Sequence, residues 1–269
     1  MSALSDRPTL EFQGISGGYG GSEIIHDISI RVGAGEIVTL IGPNGAGKSS
    51  VMNATFGQLQ INGGRILLKG EEITGIAPEQ AVRRGISYVP QVSNVFPNLT
   101  VQENLEIGAW IRRDDFRPRM EEMFALFPPL SERRRIPAGA LSGGQRQMAA
   151  MAKALMVDPE ILLLDEPTAG LSPRFRGEIF AVVRKVNARG IPILMVEQNA
   201  RQALGIADRG YVLVDGHCRM EGSGKDLLAN PEVGAMFLGR RADEETSPAP
   251  NPGSEAPAVD GSTTQSMRP

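Results

Sequence analysis

The chain has 269 residues, of which 41% are hydrophobic and 22% charged, proportions typical of a globular protein that is long enough to bury a sizeable core. Its net charge of −3 gives no basic excess of the kind that attracts nucleic acid. The single cysteine, Cys218, excludes an internal disulfide, and no apolar run approaches the ~18 residues that span a bilayer.

Short strand-like segments alternate with longer helical patterns along most of the chain. The first two, LEFQGIS and HDISIRV, alternate apolar and polar residues, and the glycine-rich GGYGGS between them predicts a turn. Further along, four short apolar segments are typical of parallel strands covered on both faces: EIVTLIG, ILLLDE, IPILMVE and GYVLVDG. Asp215-Gly216, after the last of these, predicts a β-hairpin.

Residues 92–150 have a helical character instead. Thr100 followed by Glu103 forms a capping box before an apolar helical stripe. The segment RPRMEEMFALFPPL predicts a second helix that stops at Pro128-Pro129. We therefore expect an α/β domain over residues 10–239, with a helical subdomain inserted at about 92–150.

The two termini are expected to lie outside this domain. Residues 1–9 form a short N-terminal extension without the charged start and apolar core of a secretory signal. Residues 240–269 are acidic and rich in Pro, Ser, Thr and Gly, with too few apolar residues to offset the entropy of ordering, so they predict a disordered tail. We expect a cytoplasmic protein that reaches a membrane only through a partner.

The segment GPNGAGKSS fits the pattern G-x-x-x-x-G-K-[ST] between a predicted strand and a helix. Glycines allow successive backbone N–H groups to surround phosphates, and the following helix points its positive end at them. Lys48 is expected to contact the β- and γ-phosphates of ATP, and Ser49 to bind Mg²⁺. The residues predicted to bind the nucleotide here are Gly42, Pro43, Asn44, Gly45, Ala46, Gly47, Lys48, Ser49 and Ser50.

The segment ILLLDEP places two acids at the end of a predicted buried strand. Asp165 is expected to hold Mg²⁺, and Glu166, one residue further, to orient and deprotonate a water that attacks the γ-phosphate. This pair favours hydrolysis over transfer of phosphate to a substrate.

The segment LSGGQRQ, which begins at Leu141, provides a second anion-binding end. Ser142, Gly143 and Gly144 open a predicted helix, so a hydroxyl, bare N–H groups and a helix dipole meet there. Together with the phosphate loop and ILLLDEP, this motif resembles the ATP-binding subunits of ABC transporters over about residues 10–239. The resemblance implies a P-loop NTPase of the ABC ATPase type, with an antiparallel β subdomain beside its mixed sheet.

In that family two ATP-binding domains pack head to tail, with each ATP between the phosphate loop of one and the serine-glycine motif of the other. The resemblance therefore implies that Leu141, Ser142, Gly143, Gly144 and Gln145 bind the ATP of a partner subunit. It also places Tyr19 on the adenine base, and Gln91 near Mg²⁺ and the attacking water. The helical insertion docks against membrane subunits in this family, and Trp110 and Phe96 are either contacts for them or core residues.

Two positions depart from the general family pattern. Gln198 stands where most members have a histidine that contacts the γ-phosphate, and Ser172 where they usually have an aspartate that couples the two sites. A glutamine amide can still donate a hydrogen bond to phosphate, but it cannot carry a positive charge. His26 and His217 are both interpreted as surface or strand-end residues.

These departures narrow the family resemblance. Three segments together resemble the second ATPase of branched-chain amino-acid uptake systems: VEQNARQALGIADRGYVLVDG, LFPPLSERR and GEIVTLIGPNGAGKSS. Such a subunit pairs with a paralogous ATPase, or with itself, beneath two membrane-spanning permease subunits on the inner face of the plasma membrane. A solute-binding protein delivers the solute. At position 91 this chain has the glutamine of the general family pattern, whereas this subgroup often has glutamate.

Three alternatives stay open from the sequence. Importers of urea or short amides share much of this pattern. A soluble ABC ATPase of DNA repair or translation is a second alternative, although such proteins carry two ATPase halves or a very long coiled-coil insertion. The third is an ATP sensor with weak hydrolysis, which Gln198 and Ser172 suggest.

Overall fold

The protein is described by a computed structural model over residues 7–92 and 94–238. Two sheets form within these ranges. Their strands, in chain order, are β1 (Leu10–Tyr19), β2 (Ser22–Val32), β3 (Ile37–Ile41), β4 (Gln60–Leu68), β5 (Glu71–Glu72), β6 (Ile86–Val89), β7 (Ile161–Asp165), β8 (Ile193–Glu197), β9 (Arg209–Val214) and β10 (His217–Ser223).

The larger sheet has the strand order β10-β9-β3-β8-β7-β6 and is mixed. Five of its strands are parallel, and β10 pairs antiparallel with β9 through the two-residue turn at Asp215-Gly216, as predicted. Since the parallel strands end at the same edge, the segments after β3, β7 and β8 meet there. This edge carries most of the predicted catalytic residues.

Helices cover this sheet and fill the segments between strands. They are α1 (Lys48–Thr55), α2 (Pro78–Arg83), α3 (Val101–Gly108), α4 (Arg117–Leu126), α5 (Pro128–Ser131), α6 (Gly143–Leu155), α7 (Pro173–Asn187), α8 (Ala200–Leu204), α9 (Gly224–Ala229) and α10 (Pro231–Val233), with a 3₁₀ turn at Ala138–Ala140 and a π-helical turn at Gly234–Leu238.

The core lies on both faces of the larger sheet, because its central strands β3, β7 and β8 are mostly apolar and buried at every position. In β7, Leu162 and Leu164 pack with α6 and α7 on one face, whereas Ile161 and Leu163 pack with α1 and the smaller sheet on the other. This two-sided burial explains the unbroken apolar runs of the sequence. The smaller sheet is antiparallel, with the order β2-β1-β4-β5. The predicted α/β fold with a mixed sheet and an antiparallel β subdomain is confirmed.

The region predicted as a helical insertion contains α3, α4, α5 and α6. Thr100 caps α3, with the reciprocal Glu103 bond of a capping box, as predicted. The helix predicted to stop at Pro128-Pro129 is α4, which ends at Leu126, so this prediction is confirmed. The two prolines also open the short helix α5, which was not predicted, because the missing N–H of proline is tolerated in a first helical turn.

The turn predicted over residues 17–22 is shorter than expected. Tyr19 pairs with Ser22, so only Gly20 and Gly21 form the turn, both with positive φ. Two glycines in that conformation are enough to connect twisted antiparallel strands. Of the predicted terminal segments, residues 1–6 and 239–269 lie outside the described residues, and the disorder of the tail stays a prediction.

Candidate functional site

The predicted phosphate loop joins the end of β3 to the start of α1. Its Lys48 is buried, and the ammonium donates hydrogen bonds to the carbonyl oxygens of Gly42 at 2.8 Å and Pro43 at 2.9 Å. Burial lowers the pKa of Lys48, while the nearby carboxylates of Glu166 and Asp165 raise it. The loop therefore places the Lys48 ammonium and the N–H groups at the start of α1 close to two carboxylates. The ammonium and the N–H groups suit the phosphates of a nucleotide, and the carboxylates suit a Mg²⁺ ion bound to those phosphates.

Two glycines of the loop should respond differently to a methyl group. A Cβ at Gly42 would lie 2.3 Å from the backbone oxygen of Leu213 in β9, whereas a Cβ at Gly45 meets open space and strains only a φ of +82°. We expect Gly42→Ala to lower the free energy of unfolding by about 3 kcal/mol and Gly45→Ala by about 1 kcal/mol. Denaturant unfolding of both variants measures this, and equal losses would contradict the close packing of the loop on β9.

Asp165 ends β7, and both of its carboxylate oxygens accept hydrogen bonds. The Ser49 hydroxyl donates to Oδ1 at 3.3 Å, and the Tyr88 hydroxyl donates to Oδ2 at 3.0 Å. Burial raises the pKa of Asp165, and the bonds from Tyr88 and Ser49 oppose that rise. Carboxylate, hydroxyl and amide oxygens are the hard ligands that Mg²⁺ prefers, so Ser49 and Asp165, with the Gln91 amide nearby, fit that ion.

Glu166 is buried between two glutamines. Its Oε2 accepts from the Gln91 amide at 2.8 Å, and both of its oxygens lie 2.8 Å from the Gln198 amide nitrogen. Its φ of +46° is unusual for a residue other than glycine, and such strain is found where a side chain must be aimed. A cavity of about 570 Å³ opens beside Glu166 and Gln198. The structure thus brings the predicted site residues Gln91, Glu166 and Gln198 together.

The second predicted anion-binding site lies at the N-terminus of α6. Ser142 caps this helix, with its hydroxyl accepting from the Gln145 N–H at 3.3 Å, and the Gln145 side chain accepts from the Ser142 N–H at 3.2 Å. Ser142 and Gly143 are exposed, whereas Leu141 and Gly144 are buried. Over residues 7–92 and 94–238, no hydrogen bond links positions 141–145 to the phosphate loop. The phosphate loop and the N-terminus of α6 are therefore two separate predicted anion-binding sites of one chain.

A family model described as ABC transporter matches residues 25–169, more than half of the chain. The chain belongs to this family. The ABC ATPase domain indicates that it binds and hydrolyses ATP, and ATP-binding subunits of ABC transporters work with membrane permease subunits. Every helix in the described part of the chain is too short or too polar to span a bilayer.

The relatives and solved structures indicate which ABC ATP-binding subunits this chain resembles. The high-affinity branched-chain amino acid transport ATP-binding protein BraG of Pseudomonas aeruginosa is 44% identical over 86% of this chain and 99% of its own. The probable branched-chain amino acid transport ATP-binding protein LivF of Archaeoglobus fulgidus is 39% identical over 84% of this chain and 96% of its own. The ADP-conformation crystal structure of MJ1267, an ATP-binding cassette of an ABC transporter, superposes with a TM-score of 0.79 at 28% identity, over 87% of this chain and 99% of the other. The predicted resemblance to branched-chain amino-acid transport ATPases is confirmed.

Tyr19, the predicted adenine contact of this ABC ATPase, is 44% exposed at the end of β1. Its hydroxyl accepts a hydrogen bond of 2.7 Å from the Asn53 amide on α1. The ring is therefore tied to the helix that follows the phosphate loop. Its contact with adenine stays a prediction.

The two departures from the family pattern have different surroundings. Gln198 contacts Glu166 directly, whereas Ser172 caps α7 without a side-chain cap bond. His26 and His217 stack on each other with ring centroids 4.9 Å apart, on strands β2 and β10. Neither histidine makes a described side-chain hydrogen bond to a site residue, whereas the Gln198 amide donates to Glu166.

Sequence reasoning missed two residues of the ABC ATPase site. Tyr88 on β6 contacts Asp165, as described above. Glu197, buried at the end of β8, accepts hydrogen bonds from the backbone N–H groups of Thr168 at 3.0 Å and Gln198 at 3.2 Å, and burial raises its pKa. It thereby joins the segment after Glu166 to the segment that carries Gln198. An acid at the end of an apolar strand, as at Asp165, was the available signal for Glu197.

Proposed function

We propose that this chain is the ATP-hydrolysing motor subunit of an ABC importer for branched-chain amino acids. The Glu166 carboxylate carries the proposal, because two glutamine amides hold it in a buried site beside Lys48 and Asp165. The names of BraG and LivF supply the solute class.

In this proposal each residue has a role set by its place. The phosphate loop and Lys48 bind the β- and γ-phosphates of ATP. Glu166 accepts the proton of the attacking water, while the Gln91 and Gln198 amides keep its carboxylate in place. Ser49, Asp165 and Gln91 are the residues that would hold Mg²⁺, which neutralises charge on the phosphates.

A second ATP-binding subunit completes each site. Ser142 and Gly143 present a hydroxyl and helix N–H groups to the outside of the chain, where the ATP of another subunit can reach them. We expect a paralogous subunit, with a homodimer as the alternative. Because each ATP then contacts both subunits, hydrolysis removes interface contacts and opens the pair.

Exposed apolar side chains mark the surface we propose for the permease. Among the described residues, the exposed large hydrophobics are Tyr19, Val92, Phe96, Ile107, Trp110, Ile136 and Met236. Five of these seven fall between positions 92 and 136, and Trp110 is 84% exposed, so it is not a core residue. Phe96 and Ile107 also line a mostly apolar groove of about 420 Å³. A segment of a permease subunit is the occupant that suits such a surface.

Uptake measurements test the proposal. In cells that lack this gene, we expect uptake of leucine, isoleucine and valine to be lost and urea uptake to be unchanged. The parent gene should restore uptake. An Ile107→Asp variant should not, because a charge in the apolar groove opposes docking. Met236→Asp, at an exposed apolar residue outside the insertion, should restore it.

Co-purification tests which proteins assemble with this chain. The parent chain, purified from native membranes, should carry two membrane proteins and a second ATP-binding subunit, and the Ile107→Asp variant should lose the membrane proteins. Loss of urea or short-amide uptake instead would move the solute to that class. Recovery of the parent chain with ribosomes or DNA would contradict the transport function.

A further inference from the structure

Tyr88 has no role in the site as the sequence predicts it, yet it makes the shorter of the two described side-chain hydrogen bonds to the Asp165 carboxylate. Its hydroxyl donates to Oδ2 at 3.0 Å, while the Ser49 hydroxyl donates to Oδ1 at 3.3 Å. In the described residues these two hydroxyls are the side-chain donors to this carboxylate. Each oxygen of Asp165 is therefore held by a different element, α1 on one side and β6 on the other.

The position of Tyr88 explains how it reaches Asp165. Strands β6 and β7 are parallel, and Tyr88 pairs with Leu163, two residues before Asp165. The tyrosine side chain is long enough to bring its hydroxyl to the end of the neighbouring strand. Its ring rests against the Phe56 ring, with centroids 5.5 Å apart, and lines the apolar groove with Phe96 and Ile107. The ring is thus fixed by packing, and only its hydroxyl enters the site.

We propose that Tyr88 is a positioning residue for the divalent-cation site. By occupying Oδ2, its hydroxyl fixes the plane of the Asp165 carboxylate so that Oδ1 faces Ser49. Residues that hydrogen-bond a ligand carboxylate orient it, and their loss typically weakens metal binding 10- to 100-fold. Tyr88 acts through Asp165 and does not touch the nucleotide. This inference rests on the proposed binding of ATP with Mg²⁺.

Removal of one oxygen atom separates the effect of the Tyr88 hydroxyl on Asp165 from the packing of the Tyr88 ring. Tyr88→Phe removes the hydroxyl and keeps the ring against Phe56 and along the groove. A matched control is Tyr211→Phe, because Tyr211 is a buried tyrosine whose hydroxyl, like that of the partly buried Tyr88, donates to a carboxylate, that of Glu221 at 3.1 Å. Tyr211 makes no described hydrogen bond to a predicted site residue. Each variant loses one hydroxyl, and only the Tyr88 hydroxyl contacts a residue of the site.

The test measures metal binding rather than turnover. Mn²⁺ serves as the probe, and its affinity for the full-length chain with a non-hydrolysable ATP analogue is measured by electron paramagnetic resonance. The affinity of the analogue in EDTA is measured separately by fluorescence. For Tyr88→Phe we expect Mn²⁺ to bind about 10-fold more weakly, with the metal-free affinity for the analogue changed less than twofold. Tyr211→Phe should leave both affinities at the parent value.

Two outcomes would overturn the inference. Equal Mn²⁺ affinities for the parent and Tyr88→Phe would show that the hydroxyl does not orient Asp165. Parallel losses of Mn²⁺ and metal-free analogue binding, together with a lowered melting temperature, would show a purely structural role. If the parent itself bound neither the analogue nor Mn²⁺, the proposed ATPase function would fail first, and the inference with it. The failures of the two proposals are thus distinguishable.

Discussion

Replacement of Glu166 by glutamine is expected to lower ATP turnover by about 10³-fold while ATP binding is preserved. The change keeps the size of the side chain and removes the carboxylate that accepts a proton from water, and a positioned general base typically contributes ~10²–10⁴-fold. Because a neutral side chain also relieves repulsion of the γ-phosphate, binding should be equal or tighter. Phosphate release and equilibrium binding of ATP, measured on the same preparation, check both parts.

A control for this prediction is Glu178→Gln on α7, where an exposed carboxylate pairs with Arg174 at 3.2 Å, away from the site. It should leave turnover within twofold of the parent. Appreciable turnover in the parent that is lost in Glu166→Gln would exclude an ATP sensor with weak hydrolysis. Turnover that survives Glu166→Gln would contradict the assignment of this carboxylate as the base.

The sequence was sufficient where the residues of a feature are consecutive or repeat with a simple period. The phosphate loop lies within nine residues, and a glycine-rich segment between an apolar strand and a helix has few other uses. The short apolar run ILLLDE predicted a parallel strand covered on both faces, and the structure buries all five residues of β7 between two parallel neighbours. The capping box of α3 spans four residues and was predicted from the sequence. The capping box of α6 has the same spacing, from Ser142 to Gln145, but it was not predicted.

The contacts that sequence reasoning missed join residues that are far apart in the chain. Tyr88 and Asp165 are separated by 77 positions, and Asn53 and Tyr19 by 34. Neither pair has a local pattern, because each depends on how strands and helices pack rather than on spacing. Tyr88 also resembles an ordinary strand residue, since aromatic side chains are common in strands. Only the register of β6 against β7 places its hydroxyl on Asp165.

Replacement of Lys48 by methionine is expected to weaken ATP binding by about 100-fold. Methionine keeps the unbranched apolar stem at a buried position, so the loss is that of the ammonium group alone. A charge-assisted hydrogen bond contributes about 1.5–3 kcal/mol, and the upper value corresponds to roughly 100-fold in Kd. The ammonium also lies near the Asp165 and Glu166 carboxylates, so its removal leaves them to repel the phosphates unopposed. The Kd for ATP, measured with and without Mg²⁺, gives the size of the loss.

Lys153→Met is the matched control, because Lys153 is also a lysine whose pKa burial lowers and whose ammonium donates to a backbone carbonyl, that of Asn94 at 2.6 Å. It lies on α6 above the Phe96 ring and outside the phosphate loop, so ATP binding by the isolated chain should be unchanged. Thermal unfolding of both variants accounts for any general cost of removing a buried ammonium. If both weakened ATP binding equally, the effect would be one of stability, and Lys48 would lose its place as the phosphate contact. If only Lys48→Met weakened it, and more strongly with Mg²⁺ absent, the charge would be acting directly on the phosphates, since the ion otherwise shares in neutralising them.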